Sequence, residues 1–253
     1  MKRKKVLAVS GIRSEYDILY PVLRELEDHS FDVKVVVSGA HISENFGNTV
    51  DRIVQDKFVI ADRIDTLFAT SRLCQRSKGA GLLIYGLSQV VERENPDFLL
   101  IVGDREESIA TAIVGNYMDK LVVHIGGGDT VYGNADDPIR FAVSKLAHIH
   151  CCSAQAYANN LIKLSEDSFR VFHTGNPAYV NIANEEKMDL KEISHLIGID
   201  LQDGRYIVII KHPLSSEVHD AYNQMRITMK VVEEFCGKYN FKAIVIPPNS
   251  DPG

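Results

Sequence analysis

The chain has 253 residues, 45% of them hydrophobic and 25% charged, a globular composition long enough for one large domain or two modest ones. Twenty-eight Lys and Arg against thirty-four Asp and Glu leave a formal charge of -6, so no basic field is available to hold nucleic acid. No apolar run approaches the ~20 residues that span a bilayer, and the basic start runs straight into a strand pattern, so a soluble, cytoplasmic protein without a membrane partner is expected.

The four cysteines, Cys74, Cys151, Cys152 and Cys236, have no metal or CxxC spacing. They read as reduced, buried thiols.

Val6 to Ser10 is an apolar strand pattern ending at Gly11-Ile12-Arg13-Ser14, and a helical stripe of Ile18, Leu19, Val22, Leu23 and Leu26 follows. Val33 to Ser38 repeats the strand and breaks at Gly39-Ala40-His41. Leu82 to Glu94 reads as a helix stopped by Asn95-Pro96, Phe98 to Val102 as a buried strand, Ser108 to Tyr117 as a helix and Leu121 to Ile125 as a strand. The pattern continues with a helix over Ile139 to Leu146, a strand over His148 to Cys152, a helix over Ala154 to Leu164 and a strand over Val171 to Thr174. Near-continuous Val/Ile/Leu strands alternating with helices predict a doubly wound, parallel α/β domain.

Asn184 to Leu190 is polar, as a linker or surface helix would be. A second α/β pattern follows, with strands over Tyr206 to Ile210 and Phe241 to Ile246 around a helix from about Ser216 to Lys238. Two strands and one helix cannot bury both faces of a sheet. The expected organisation is therefore a complete domain over 1–178 and a partial one over 179–253.

Open α/β sheets bind ligands beyond the carboxyl ends of their strands, which directs attention to the loops. Gly11 to Tyr16 offers helix-start N–H groups and the Arg13 guanidinium, a combination suited to a diphosphate or equally to an ordinary glycine turn. After Phe98 to Val102 come Asp104, Arg105, Glu106 and Glu107. The two glutamates suit a helix dipole, whereas Asp104 is open between an N-cap and a site role. Three glycines, Gly126 to Gly128, precede Asp129. Asp136-Asp137-Pro138 reads as a helix start in which one Asp caps and the other is spare. Paired carboxylates could exchange protons with a sugar. His212, in Lys211-His212-Pro213, ends a strand of the second domain, a place suited to ligand contact.

Together and in this order, GIRSEYDIL (11–19), SGAHISENFG (38–47), GDREES (103–108), HIGGGD (124–129), DDPIRFAVSKLAH (136–148), GNP (175–177), KHP (211–213) and PPNSDPG (247–253) resemble the UDP-N-acetylglucosamine 2-epimerase family. The DDxIR…KxAH pattern resembles its hydrolysing branch, of sialic-acid and nonulosonate pathways. The resemblance implies a GT-B-like fold of two Rossmann-like domains, with the second incomplete here. It implies UDP-N-acetylglucosamine or a related nucleotide sugar as ligand, a homodimer, and no metal or cofactor. It also implies a reaction: C2 deprotonation, elimination of UDP, and hydration of a glucal to N-acetylmannosamine.

By the same resemblance Asp104, Asp136 and His212 are expected as catalytic residues, and Arg13, His41, Arg105, Asp129 and Asp137 as substrate-binding ones. Two departures stand out. Gly126 occupies a position where family members carry a glutamate, and the chain stops where they continue, so a C-terminally truncated chain is expected. Related alternatives are an epimerase for another nucleotide sugar, such as a diacetamido sugar, and an inactive nucleotide-sugar-binding or dimerising remnant.

Overall fold

A computed structural model describes residues 3–68, 72, 74–131, 136–214 and 217–247. The chain divides into two compact units, Met1–Ala183 and Asn184–Gly253. In the first, strands and helices alternate: β1 (Lys5–Ser10), α1 (Arg13–Asp28), β2 (Asp32–Ser38), α2 (Val50–Gln55), β3 (Val59–Ile64), α3 (Cys74–Glu94), β4 (Phe98–Val102), α4 (Glu106–Tyr117), β5 (Leu121–Ile125), α5 (Asp136–Leu146), β6 (Ile149–Cys152), α6 (Gln155–Lys163) and β7 (Val171–His173). Short 3-10 turns at Gly39–Ile42 and Glu44–Phe46 link β2 to α2. The strands form one sheet in the order β3-β2-β1-β4-β5-β6-β7, every pair parallel. The order reverses direction between β1 and β4, the switch point at which such sheets bind ligands.

Period-two alternation explains how one strand serves two cores. Leu7 and Val9 of β1, with Leu99 and Ile101 of β4, face the α3 and α4 side, where Leu83, Leu87, Val90 and Val114 complete a buried cluster. Val6 and Ala8, with Leu100 and Val102, point the other way and meet Tyr16, Leu19 and Leu23 of α1. The helical stripe predicted for 18–26 is thus the buried face of α1. Beyond α1 the same sheet face is open: a groove of about 850 Å³ runs over Leu100, Val123, Ile125 and Cys151 to Tyr179 and Val180 of α7 (Ala178–Asn184). Its lining is mostly apolar, with Glu25, His29 and Asn176 also part of it, and includes none of the polar loop residues Arg13, Asp104, Arg105 or Asp129.

The structure corrects or decides four of the readings from sequence. α3 starts at Cys74, eight residues before the expected Leu82, and β3 at Val59–Ile64 was not foreseen. Asp104 is not an N-cap: the cap of α4 is Arg105, without a side-chain cap bond. Of the thiols, Cys152 alone is fully buried, while Cys74, Cys151 and Cys236 are half-buried.

The second unit contains α8 (Leu190–Ile197), β8 (Tyr206–Ile210), α9 (Ala221–Tyr239) and β9 (Lys242–Ile246), with β8 and β9 paired in parallel. α8 starts with a capping box between Asp189 and Glu192 and ends at Gly198. Among its described residues Leu201 is the buried hydrophobic one, whereas Val208, Ile210, Val245 and Ile246 of the strands are exposed. Low burial implies low local stability. Limited proteolysis should therefore cut first within 184–247, and first cuts between 5 and 152 would contradict this account.

Candidate active site

The polar groups gather on unit 1 where β1, β2, β4 and β5 end. β1 delivers Ser10 and Gly11 to the start of α1, where Arg13 is largely exposed and 4.0 Å from Asp17 Oδ2. The first turn of α1 has no side-chain cap, and with the Glu15 and Tyr16 N–H groups donating to the Ile12 carbonyl, those of Arg13 and Ser14 are the candidate anion donors. Behind this loop lie two buried carboxyls. Gly11 N–H donates to Glu15 Oε2 at 2.9 Å, and Ser38 Oγ–H to Glu107 Oε1 at 3.4 Å. A Cβ on Gly11 would stand 1.8 Å from Glu107 Oε1. Only glycine allows this approach. Burial, then the Glu107 charge, pushes Glu15 well above the usual carboxylate range, and burial followed by the Glu106 charge raises Glu107.

Asp104, in the loop after β4, pairs with Arg140 of α5, whose Nε donates to Oδ2 at 2.9 Å. Arg140 NH1 also lies 3.1 Å from Asp129 Oδ2, so one guanidinium holds two site acids from two loops. The Tyr157 hydroxyl reaches Asp129 too, and that charge raises its pKa. Arg105 lies 3.8 Å from both Glu106 and Glu107, and Arg76 of α3 contacts Glu106 at 3.0 Å and Asp136 at 3.4 Å. α5 begins at Asp136, so Asp136 and Asp137 both sit in its first turn. Asp137 Oδ1 accepts from the N–H of Val131 at 2.8 Å. Asp136 and Arg140 are four residues apart and hence on one helix face. That spacing brings Asp136 toward the Asp104 pair.

Two histidines brace these loops from within. His41 is fully buried, its Nε2 2.9 Å from Ser10 Oγ and its Nδ1 2.8 Å from Thr49 Oγ1. It reaches no surface, and links the β1 end to the start of α2. His124 Nε2 is 2.7 Å from the Gly103 carbonyl, which requires a proton on that nitrogen, and its Nδ1 is 3.2 Å from Ser144 Oγ. It therefore ties the Asp104 loop to α5. Gly126 supplies no side chain, and the place its Cβ would take is open, with Gly103 N nearest at 4.0 Å. His212 follows β8 in the second unit and is not without a partner. The described residues hold no group of three or more metal-ligating side chains.

Sequence reasoning quoted Arg140 only within a motif and missed Arg76 entirely. The signal for Arg140 was its i+4 position from Asp136, whereas Arg76 lay in a segment with no helical prediction.

Burial lowers both His41 and His124 to about 4 from the ordinary 6.5. Each is neutral in the fold but takes up a proton on unfolding below pH 6.5. Their contribution to stability is complete above 6.5 and is lost as pH falls from there through 4, on the order of 3 kcal/mol each. The raised Glu15 and Glu107 act oppositely, losing stability as pH rises through their own range, so a comparison of variants isolates the histidine. In His124→Gln the acid-side fall in the urea midpoint between pH 6.5 and 4 should be shallower than in the parent, and an equal fall would contradict the buried neutral ring.

A model of the family described as UDP-N-acetylglucosamine 2-epimerase matches residues 24–253. The chain belongs to the UDP-N-acetylglucosamine 2-epimerase family. The UDP-N,N'-diacetylbacillosamine 2-epimerase (hydrolyzing) of Legionella pneumophila is 31% identical over 251 residues, 99% of this chain and 65% of that protein. The GDP/UDP-N,N'-diacetylbacillosamine 2-epimerase (hydrolyzing) of Campylobacter jejuni is 30% identical over 92% of this chain and 60% of its own length. This epimerase-family chain thus spans 65% and 60% of those two relatives. Among solved structures, the Neisseria meningitidis UDP-GlcNAc 2-epimerase bound to UDP-GlcNAc superimposes with a TM-score of 0.80 at 22% identity, over 98% of this chain and 67% of that one. The likeness establishes the GT-B-like α/β fold, with the Rossmann-like first unit that the alternating pattern predicted.

Proposed function

We propose that this chain acts as a hydrolysing nucleotide-sugar 2-epimerase, on a UDP-linked 2-acetamido sugar. The observation that carries this reading is the convergence of Asp104 and Asp129 on Arg140, one helix turn after Asp136, next to the sheet's switch point, within a chain of this family. In this reading the diphosphate lies against the start of α1, where N–H groups and Arg13 neutralise it, with Arg105 contributing charge from the next loop. His41 acts through the loop it braces, and Asp129 and Asp137 bind the sugar. Asp104 and Asp136 exchange the protons: one carboxylate takes the C2 proton, UDP leaves from C1 as the glucal double bond forms, and the second delivers the proton when water adds. His212, just after β8, is the catalytic residue proposed for the second unit.

The substrate reading has two branches. The domain division proposed is 1–178 for the sugar-binding, proton-transferring part and 179–253 for part of the nucleotide-binding one. UDP-N-acetylglucosamine follows from the family description, and a UDP-linked diacetamido sugar from the names of the two relatives near 30% identity. Incubation of the full-length protein with each, followed by NMR of the released sugar, separates them. Release of UDP together with the 2-epimerised free sugar from either supports the reading. Tight binding of both without release makes the protein a nucleotide-sugar-binding remnant, and absence of both binding and release overturns it.

A further inference from the structure

The geometry points to Arg76 as a positioning residue that seats Asp136 for proton transfer. This rests on the epimerase reading for what Asp136 does, but the contact itself stands apart from it. Arg76 lies in the first turn of α3. Its Nε donates to Glu106 Oε2 at 3.0 Å, at the start of α4, and its NH1 and NH2 approach Asp136 Oδ1 at 3.4 and 3.5 Å, at the start of α5. One side chain from a third helix thus spans two helix starts.

The three groups are largely withdrawn from water, with side-chain exposures of 25%, 16% and 27% for Arg76, Glu106 and Asp136. An ion pair of that kind is screened less than a surface one. The guanidinium is a planar fork, so engagement of Nε by Glu106 fixes the direction in which the terminal nitrogens point. Glu106 is itself held by Arg105, which also faces Glu107. Asp136, Arg76, Glu106, Arg105 and Glu107 therefore alternate in charge from the helix start into the buried acids behind Gly11. A second alternation, Asp129, Arg140 and Asp104, runs beside it. The two series share α5, which carries Asp136 and Arg140 four residues apart.

Arg76 has both ends of its fork taken by protein carboxylates. Its expected effect is therefore on the placement of Asp136 and on turnover, not on affinity for the nucleotide, which falls to Arg13 and Arg105. In the full-length protein Arg76→Met should lower kcat by roughly 10- to 100-fold, the scale of a misplaced reacting group, with KM within about twofold of the parent. The Asp136 carboxyl, followed by carbon NMR, should titrate higher once the neighbouring cation is gone. Arg76→Lys keeps the charge but loses the fork, so it should restore most of the titration and only part of kcat. It also serves if the Met variant fails to fold.

A raised KM with unchanged kcat would make Arg76 a ligand contact and overturn the proposal. So would an Asp136 titration that does not move in Arg76→Met. The titration needs no turnover. If the parent protein neither binds nor turns over a nucleotide sugar, the epimerase reading falls, while the seating of Asp136 is still decided by the NMR result.

Discussion

Asp104→Asn should lower kcat for release of UDP by roughly 10²- to 10⁴-fold, the usual worth of a positioned acid or base, with much less change in KM. The argument begins with the strand. β4 is buried on both faces and ends at Val102, so the chain must turn at Gly103 and carry Asp104 out at the sheet's switch point. There Arg140 Nε binds one carboxylate oxygen, Oδ2, and His124 holds the Gly103 carbonyl. An amide keeps the shape and can still accept from Arg140, so the fold is retained and the proton-transfer capacity is lost. The weakened ion pair should cost about 1 to 3 kcal/mol of stability, small beside the loss in rate. A kcat within a few-fold of the parent would remove Asp104 from the proposed chemistry.

Gly128→Ala should destabilise the protein by about 2 to 4 kcal/mol, the largest single effect expected in the glycine loop. Gly128 has φ of +81°, and an added Cβ would meet the Tyr157 carbonyl oxygen at 2.3 Å and Leu161 Cγ at 3.0 Å. The Tyr157 atom is backbone in α6 and cannot swing aside. The Gly128 carbonyl also accepts from Asn160 Nδ2 at 3.0 Å, which fixes the loop against the same helix. Gly47→Ala separates the two contributions: Gly47 also has φ of +81° but nothing within 4 Å of a new Cβ, so it should cost only the left-handed strain of about 1 to 2 kcal/mol. Equal urea midpoints for the two variants would show that contact with α6 adds nothing.

Much of the first unit was legible because its strands are short, apolar and bounded by glycine or proline. Phe98–Val102 and Leu121–Ile125 have the predicted limits. The alternation of Leu7 and Val9 against Val6 and Ala8 could not be assigned to faces from sequence, since a doubly covered strand has no polar side. The start of α3 was hidden for a different reason. Residues 74–81 include Gly79 and Gly81, poor helix formers, and Gly79 is there because a Cβ would stand 2.6 Å from the Thr66 carbonyl. Tertiary contact outweighed propensity, and Arg76 was lost with the helix that carries it.

The site was legible as a set of residue types rather than as a set of partners. Asp104, Asp129 and Asp136 stood out as acids at strand and helix ends, but their pairing with Arg140 and Arg76 depends on contacts across 11 to 60 residues. Glu107 reads in sequence as a helix-dipole acid. In the fold it is buried against Gly11 and Gly39, a placement that no local pattern encodes. His41 stood in a motif of polar loop residues, yet its ring is enclosed between Ser10 and Thr49.

The most direct measurement is the fate of the C2 hydrogen when the full-length protein processes a UDP-linked 2-acetamido sugar in deuterium oxide. Deprotonation at C2, loss of UDP and hydration of a glucal require one solvent deuteron at C2 of the released sugar, in the epimerised configuration and in step with UDP. Asp104→Asn should suppress both signals together. A released sugar that retains its C2 hydrogen, or UDP release with the original configuration intact, would contradict the account.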